Sequence, residues 1–153
     1  MAAPQFGRAE PGLIHPDRPA AFAVVIRDGQ IALVRVERRL RGVALDLPGG
    51  GIDEGETAAE AAIRECGEEA GLVVAVDAQP FVHADHFFLH NDGEIRNTRG
   101  AFFVGRVVVE DPALKVEDDH TLVWMPPHEA VVRLDRDSHA WAVAAWLRLR
   151  ARV

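Results

Sequence analysis

The sequence has one cysteine, no tyrosine and fewer basic than acidic residues. Because Cys66 has no second cysteine to pair with, a disulfide within the chain is excluded and a reducing compartment is favoured. The 17 Lys and Arg residues against 24 Asp and Glu residues give a formal net charge of -7. This balance argues against duplex nucleic acid as a partner, since duplex-binding proteins present a net-basic face. It is compatible with a phosphorylated small molecule, because bound divalent cations invert the sign of an acidic site.

Long hydrophobic runs are also absent. The longest of them, such as residues 20–26, are far shorter than the ~20 apolar residues that a membrane-spanning helix needs. The first 19 residues contain no apolar core of signal-peptide length, and they carry an early acid, Glu10. We therefore predict a cytoplasmic protein with no membrane partner.

The composition that is present is that of one globular domain, with 48% hydrophobic and 27% charged residues. A chain of 153 residues is long enough to bury a single core, and no internal repeat or low-complexity tract divides it. Residues 1–19 are rich in Pro and Gly and show no hydrophobic period, so we interpret them as an N-terminal arm. Residues 20–153 are predicted to form one domain.

Turn and cap signals divide this domain into strands and helices. Asp28-Gly29 lies between two apolar segments and predicts a β-hairpin. Thr57, with Glu60 three residues later, predicts the start of a helix that ends at Gly71. Further strands are predicted at residues 72–76, 81–90, 99–109 and 121–125, and helices at residues 126–134 and after residue 137. Because strands and helices intermix without strict alternation, we predict an α/β fold with a mixed sheet between helices.

The first predicted helix carries a cluster of carboxylates. On a helical wheel Glu65, Glu68 and Glu69 share one flank, separate from an apolar stripe formed by Ala59, Ala62, Ile63, Cys66 and Ala70. Like charges at these spacings repel one another. A hard divalent cation reverses this repulsion, because it takes oxygen ligands. The alternative is a solvated acidic face on which Arg64 pairs locally with Glu60 and Glu68.

The spacing around this helix follows a known pattern. Gly50, five residues, Glu56, seven residues and then Arg-Glu-Cys-Gly-Glu-Glu-Ala-Gly-Leu at residues 64–72 match the Nudix box at every position. The chain therefore resembles the Nudix hydrolases.

This resemblance implies a Nudix-type α/β/α sandwich and a Mg²⁺-dependent attack of water on a nucleoside diphosphate linked to another group, with Mn²⁺ as a second usable cation. It implies Glu65, Glu68 and Glu69 as metal ligands, together with a backbone carbonyl of Gly50 or Gly51. It also implies a supporting salt bridge between Glu56 and Arg64.

Three further groups of residues are candidates for the site. Glu117 and Asp119, in an acidic loop, are equal candidates for an additional metal ligand or the general base, and a solvated acidic turn is the alternative. Arg35, Arg38 and Arg39 are candidates for phosphate contacts, with a solvated loop as the alternative. Phe87 or the adjacent Phe88 is a candidate for stacking on a base, although core packing is expected for at least one of the two.

The resemblance leaves the substrate open among nucleoside triphosphates, nucleotide sugars, dinucleoside polyphosphates and ADP-ribose. The absence of tyrosine removes a marker of dinucleoside polyphosphate specificity within the family. A non-catalytic nucleotide sensor is the main alternative, but such relatives typically lose a box glutamate or the arginine, and this chain keeps them all. An enzyme acting on RNA 5′ ends is a third hypothesis, which the net negative charge disfavours. The oligomeric state is open, with a homodimer as one expectation.

Overall fold

A computed structural model describes residues 2–152 of the chain. The strands are β1 (Gln5–Phe6), β2 (Asp17–Arg27), β3 (Gln30–Arg38), β4 (Gly42–Asp46), β5 (Gly49–Gly51), β6 (Leu72–Val76), β7 (Val82–Leu89), β8 (Ile95–Glu110) and β9 (His120–Met125). The helices are α1 (Ala58–Ala70), α2 (Pro127–Arg133) and α3 (Asp137–Arg150), with a 3₁₀ turn at Pro112–Leu114.

Strand β2 is the centre of a mixed sheet. It pairs in parallel with β8, over a register that runs from Asp17 opposite Asn97 to Val25 opposite Gly105, and antiparallel with β3 and β5. Strand β3 continues the sheet antiparallel to β4 and β9, and β7 and β6 both pair antiparallel with β8. The predicted mixed pairing is therefore confirmed.

Helices cover both faces of this sheet. Phe22 of β2 is buried in one apolar cluster with Trp146 of α3, whereas the next residue, Ala23, is buried in a second cluster with Cys66 of α1. Successive side chains of a strand point to opposite faces, so α1 lies on one side of the sheet and α3 on the other. This arrangement confirms the predicted α/β/α sandwich.

The local turn signals act as predicted. Asp28 and Gly29 join β2 to β3 with φ values of 52° and 75°, the positive values that a tight type I′ hairpin turn needs at both central residues. The Thr57 side chain accepts a hydrogen bond from the Glu60 N–H, and Gly71 ends α1 with φ of 66°. These signals fix where α1 begins and ends, and hence which way its carboxylates face.

The phase of the α1 apolar stripe is partly wrong. Ile63, predicted to be buried, is 38% exposed, and the buried residues of α1 include Ala61 and Glu69 instead. Ala61 is buried because it packs in one apolar cluster with Ala21 of β2 and Phe103 of β8, and Glu69 is buried because its carboxylate meets the Gly49 N–H.

Part of the predicted N-terminal arm is paired with the sheet. Strand β1 lies parallel to β7, with Gln5 opposite Asp85, and β2 begins at Asp17. The boundary of the domain at residue 20 stays a prediction. None of the helices among residues 2–152 combines the length and the apolarity that crossing a membrane requires.

Candidate active site

The glycine strand β5 lies directly against the carboxylates of α1. The Gly49 N–H donates to Glu69 Oε1 at 2.8 Å. A Cβ atom added to Gly50 would lie 2.7 Å from Glu65 Oε1, which is closer than real Cβ contacts allow. Any side chain at Gly50 would therefore displace Glu65. The glycine repeat thus brings the backbone of β5 next to two carboxylates.

Arg64 connects this strand, the loop that follows it and α1. Its Nε and Nη2 donate to Glu56 Oε2 and Oε1 at 2.8 and 2.9 Å, and Nη2 also donates to the Gly51 carbonyl at 3.0 Å. Its Nη1 donates to Glu65 Oε1 at 3.1 Å and to Glu68 Oε2 at 3.0 Å. Such a two-pronged arginine–carboxylate pair is strong and fixes geometry. One guanidinium group therefore orients both Glu65 and Glu68.

The Glu56 carboxylate is held in its charged form by these bonds. The hydrogen bonds from Arg64 and from the Asp53 N–H, 3.0 Å away, lower the pKa of Glu56 to about 2. The same contact with Glu56 raises the pKa of Arg64 above its usual value. Both groups are thus charged throughout the neutral range.

The carboxylates of α1 differ in burial. The Glu69 side chain is 9% exposed and that of Glu65 14%, whereas that of Glu68 is 34% exposed. Burial, and then the neighbouring Glu69, raise the pKa of Glu65 to about 7. Two buried carboxylates beside a glycine backbone form a donor set of oxygen atoms with excess negative charge. This set fits a hard divalent cation such as Mg²⁺.

The acidic loop before β9 lies over the second half of α1. The N–H groups of Val116 and Glu117 donate to the Glu68 carbonyl at 2.9 and 3.1 Å, and Glu117 lines the cleft formed by β5 and α1. His120 connects Asp119 to the helix α1. The Nδ1 atom of His120 lies 2.8 Å from Asp119 Oδ1, and its Nε2 atom lies 2.8 Å from Glu69 Oε2. Burial opposes protonation of His120, but its contacts with Glu69 and Asp119 raise its pKa.

One wall of the cleft is basic. Arg18, Arg38 and Arg136 line it, and the cleft measures about 210 Å³. Arg38 forms an ion pair with Asp46, and Arg136 Nε lies 3.6 Å from Asp46 Oδ1. Burial and the neighbouring Arg136 lower the pKa of Arg38 to about 10, so the group stays protonated at neutral pH.

The four residues proposed to contact substrate are spread apart. Arg38 lies in the cleft. Arg35 is exposed on β3 beside Glu37, and Arg39 donates to the Asn91 carbonyl. The ring of Phe87 contacts His15 edge-to-face. Phe88 is buried, and the centroid of its ring lies 3.6 Å from the Arg136 guanidinium carbon.

Three residues that line the cleft were not predicted from the sequence: Arg18, Arg136 and His120. Arg18 falls within the predicted arm, and Arg136 directly precedes the predicted cap of the last helix. Only His120 carried a local signal, because it ends the acidic loop.

Comparisons with known proteins find relatives both in sequence and in structure. The family model of the NUDIX domain matches residues 16–147. An RNA pyrophosphohydrolase of Sphingopyxis alaskensis is 34% identical over 117 residues, which are 69% of this chain and 72% of that protein. A Bacillus subtilis protein named "Putative 8-oxo-dGTP diphosphatase" is 47% identical over 60 residues, 39% of this chain and 38% of its own length. The structure of a NUDIX hydrolase from Nitrosomonas europaea superposes with a TM-score of 0.74 at 20% identity, over 87% of this chain and 89% of the other.

Replacement of Glu56 by Gln should destabilise the fold in a pH-dependent way. The pKa of Glu56 is lowered from 4.5 to about 2, so its stabilisation is complete above pH 4.5 and is lost as the pH falls towards 2. We expect Glu56→Gln to lower the free energy of unfolding by roughly 1–3 kcal/mol at pH 7. The difference should narrow below pH 4.5. Urea unfolding across pH measures it.

The matched control is Glu54→Gln, at an exposed position two residues earlier. Its effect should stay within about 0.5 kcal/mol at every pH. A Glu56→Gln difference that is the same at pH 3 and pH 7 would contradict the ion pair with Arg64.

Proposed function

We propose, since the chain belongs to the Nudix hydrolase family, that it is a Mg²⁺-dependent pyrophosphohydrolase that cleaves a nucleoside diphosphate linked to another moiety. The observation that carries this proposal is the pair of buried carboxylates, Glu65 and Glu69, held against the glycine strand β5. The substrate classes considered are nucleoside triphosphates, nucleotide sugars, dinucleoside polyphosphates and ADP-ribose.

Four groups would hold the cation in this proposal: the carboxylates of Glu65, Glu68 and Glu69 and the backbone carbonyl of Gly50. Mg²⁺ bound there screens the phosphate oxygens and lowers the pKa of a bound water, and Mn²⁺ would serve the same purpose. Arg64 and Glu56 are positioning residues. Because Arg64 bonds to Glu65 and Glu68 simultaneously, it fixes the separation of the carboxylates before any cation arrives.

Glu117 is the proposed general base. Its backbone is bonded to the Glu68 carbonyl and it lines the cleft, so its carboxylate is available to accept a proton from the attacking water. Asp119 is 45% exposed and contacts His120. We propose that Asp119 acts through His120, by holding that ring against Glu69.

The non-catalytic sensor is a weaker proposal, because the chain keeps all four glutamates of the box and Arg64 bonds to three of them, Glu56, Glu65 and Glu68. An enzyme acting on RNA 5′ ends gains support from the relative named RNA pyrophosphohydrolase and from the basic wall of the cleft. The net charge of -7 therefore does not describe the local surface at the site. A cytoplasmic location and a homodimer stay predictions.

Replacement of Glu69 by Gln should abolish most of the activity. The purified protein is assayed with Mg²⁺ on one compound of each substrate class, with phosphate-bond cleavage as the readout. At least one compound should be hydrolysed by the wild type. Glu69→Gln should then lower kcat by at least about two orders of magnitude, the scale seen when one electrostatic group of a site is removed.

The control is Glu60→Gln, an exposed glutamate of the same helix, which should keep normal turnover. Hydrolysis that continues at the wild-type rate in EDTA, or in Glu69→Gln, would refute the proposed cation site. Tight binding of a nucleotide without any turnover would favour the sensor.

The roles of the loop acids can be separated by their pH profiles. Glu117→Gln should lower kcat by about tenfold or more at saturating Mg²⁺ and flatten the acidic limb of the pH–rate profile, because the proton acceptor is lost. Asp119→Asn should have a smaller effect and keep that limb. The reverse order would assign the base to Asp119, and two normal profiles would leave the loop without a part in catalysis.

A further inference from the structure

The basic wall of the cleft gathers three arginines around a single directly paired carboxylate. Arg18, Arg38 and Arg136 converge there from β2, the end of β3 and the start of α3. Asp46 is the carboxylate that pairs with Arg38 and Arg136. Arg18 forms no ion pair within residues 2–152. The three guanidinium groups therefore share one directly paired carboxylate, and the carboxylates of α1 line the same cleft.

Two of these guanidinium groups are buried without full hydrogen bonding. The side chains of Arg38 and Arg136 are 10% and 8% exposed. Within the described part of the chain, Arg38 Nε has no hydrogen-bond partner, whereas Arg136 Nε faces Asp46 Oδ1 at 3.6 Å. Leaving a buried charged donor unpaired is costly, so an anion bound beside Arg38 would compensate a donor that the fold leaves without a partner.

Phe88 keeps the arginines in this position. The guanidinium carbons of Arg136 and Arg38 lie 3.6 and 5.0 Å from the centroid of its ring. Contact of a cation with an aromatic face is favourable, and more so when the pair is desolvated. The ring thus replaces part of the hydration that the two cations lose, without neutralising their charge.

The charge of the basic wall favours an anionic group over a neutral one. A chain of phosphates would place charged oxygen atoms against the guanidinium groups, whereas a second nucleoside or a sugar would place neutral hydroxyl groups there. A terminal phosphate carries up to two negative charges at neutral pH and matches the planar fork of arginine.

We infer that Arg18, Arg38 and Arg136 bind the terminal phosphate of the substrate, so that the enzyme acts on 5′-triphosphates rather than on nucleotides that end in a sugar or a second nucleoside. The inference rests on the proposed function, because the phosphates must also meet the carboxylates of α1. A free nucleoside triphosphate and a 5′-triphosphorylated RNA end share this chemistry.

The test compares substrates and variants in Mg²⁺ buffer. GTP, a 5′-triphosphorylated RNA oligonucleotide, ADP-ribose and UDP-glucose are assayed with the wild type, Arg18→Met, Arg136→Lys and the control Arg133→Met, at an exposed position on α2. The wild type should show a kcat/KM for one or both triphosphates at least about tenfold above that for the other two compounds. The higher of the two triphosphate values then identifies the source of the 5′-triphosphate.

Both cleft variants should raise KM for triphosphates by about tenfold or more. Arg18→Met loses a charged hydrogen-bond donor, and Arg136→Lys loses the planar fork of the guanidinium group. Arg133→Met should leave KM unchanged. Arg136→Lys keeps a cation beside Asp46. If that variant does not fold, Arg18→Met carries the test, because Arg18 has no ion pair within residues 2–152 to lose.

Binding of inorganic triphosphate, measured by calorimetry in the same buffer, gives a second readout. Its Kd should rise about tenfold or more in Arg18→Met. Metal-dependent turnover that prefers ADP-ribose or UDP-glucose would overturn the inference and leave the proposed function intact. If the wild type hydrolyses none of these compounds and no dinucleoside polyphosphate either, the proposed function fails, and an unchanged Kd in Arg18→Met would then overturn the inference independently.

Discussion

The hydrogen bonds of the Arg64 side chain are the interactions on which the rest of the site depends. Its guanidinium group bonds to Glu56, to the carbonyl of Gly51, and to both Glu65 and Glu68, so it joins the glycine strand, the loop after it and α1. Without these hydrogen bonds the carboxylates of α1 would repel one another and turn towards solvent. The glycines of β5 complete the constraint, because a side chain at Gly50 would strike Glu65. Several residues of the Nudix box therefore hold one another in position.

The cleft has two walls of opposite charge that are supplied by different parts of the chain. The acidic wall comes from one helix, and its carboxylates are brought together by local spacing. The basic wall is assembled from β2, β3 and α3, which the sheet and the packing of α3 bring together. A cation at the first wall and a phosphate at the second would each relieve repulsion among the like charges of that wall, so metal and substrate are expected to strengthen each other's binding.

The acidic wall could be predicted from the sequence, whereas of the basic wall only Arg38 could. The cap at Thr57, the stop at Gly71 and the spacing of the glutamates are local signals that survive in the fold. The predicted phase of the buried face was partly wrong: Ile63 is exposed because α1 buries Ala61 against β2 and β8 instead. Arg18 and Arg136 lie far apart in sequence, and no local pattern marks them. For Phe87 and Phe88, adjacent strand residues face opposite ways, and the sequence does not say which of the two is buried.

We propose that Glu65 and Glu69, beside β5, hold a divalent cation, and anomalous diffraction from crystals soaked in Mn²⁺ tests this most directly. We expect an anomalous peak within about 2.0–2.6 Å of carboxylate oxygens of both residues, with the Gly50 carbonyl completing the site and Arg64 still bonded to Glu56. Peaks confined to the exposed side of the Glu117–Asp119 loop, or no peak near Glu69 at saturating Mn²⁺, would contradict it.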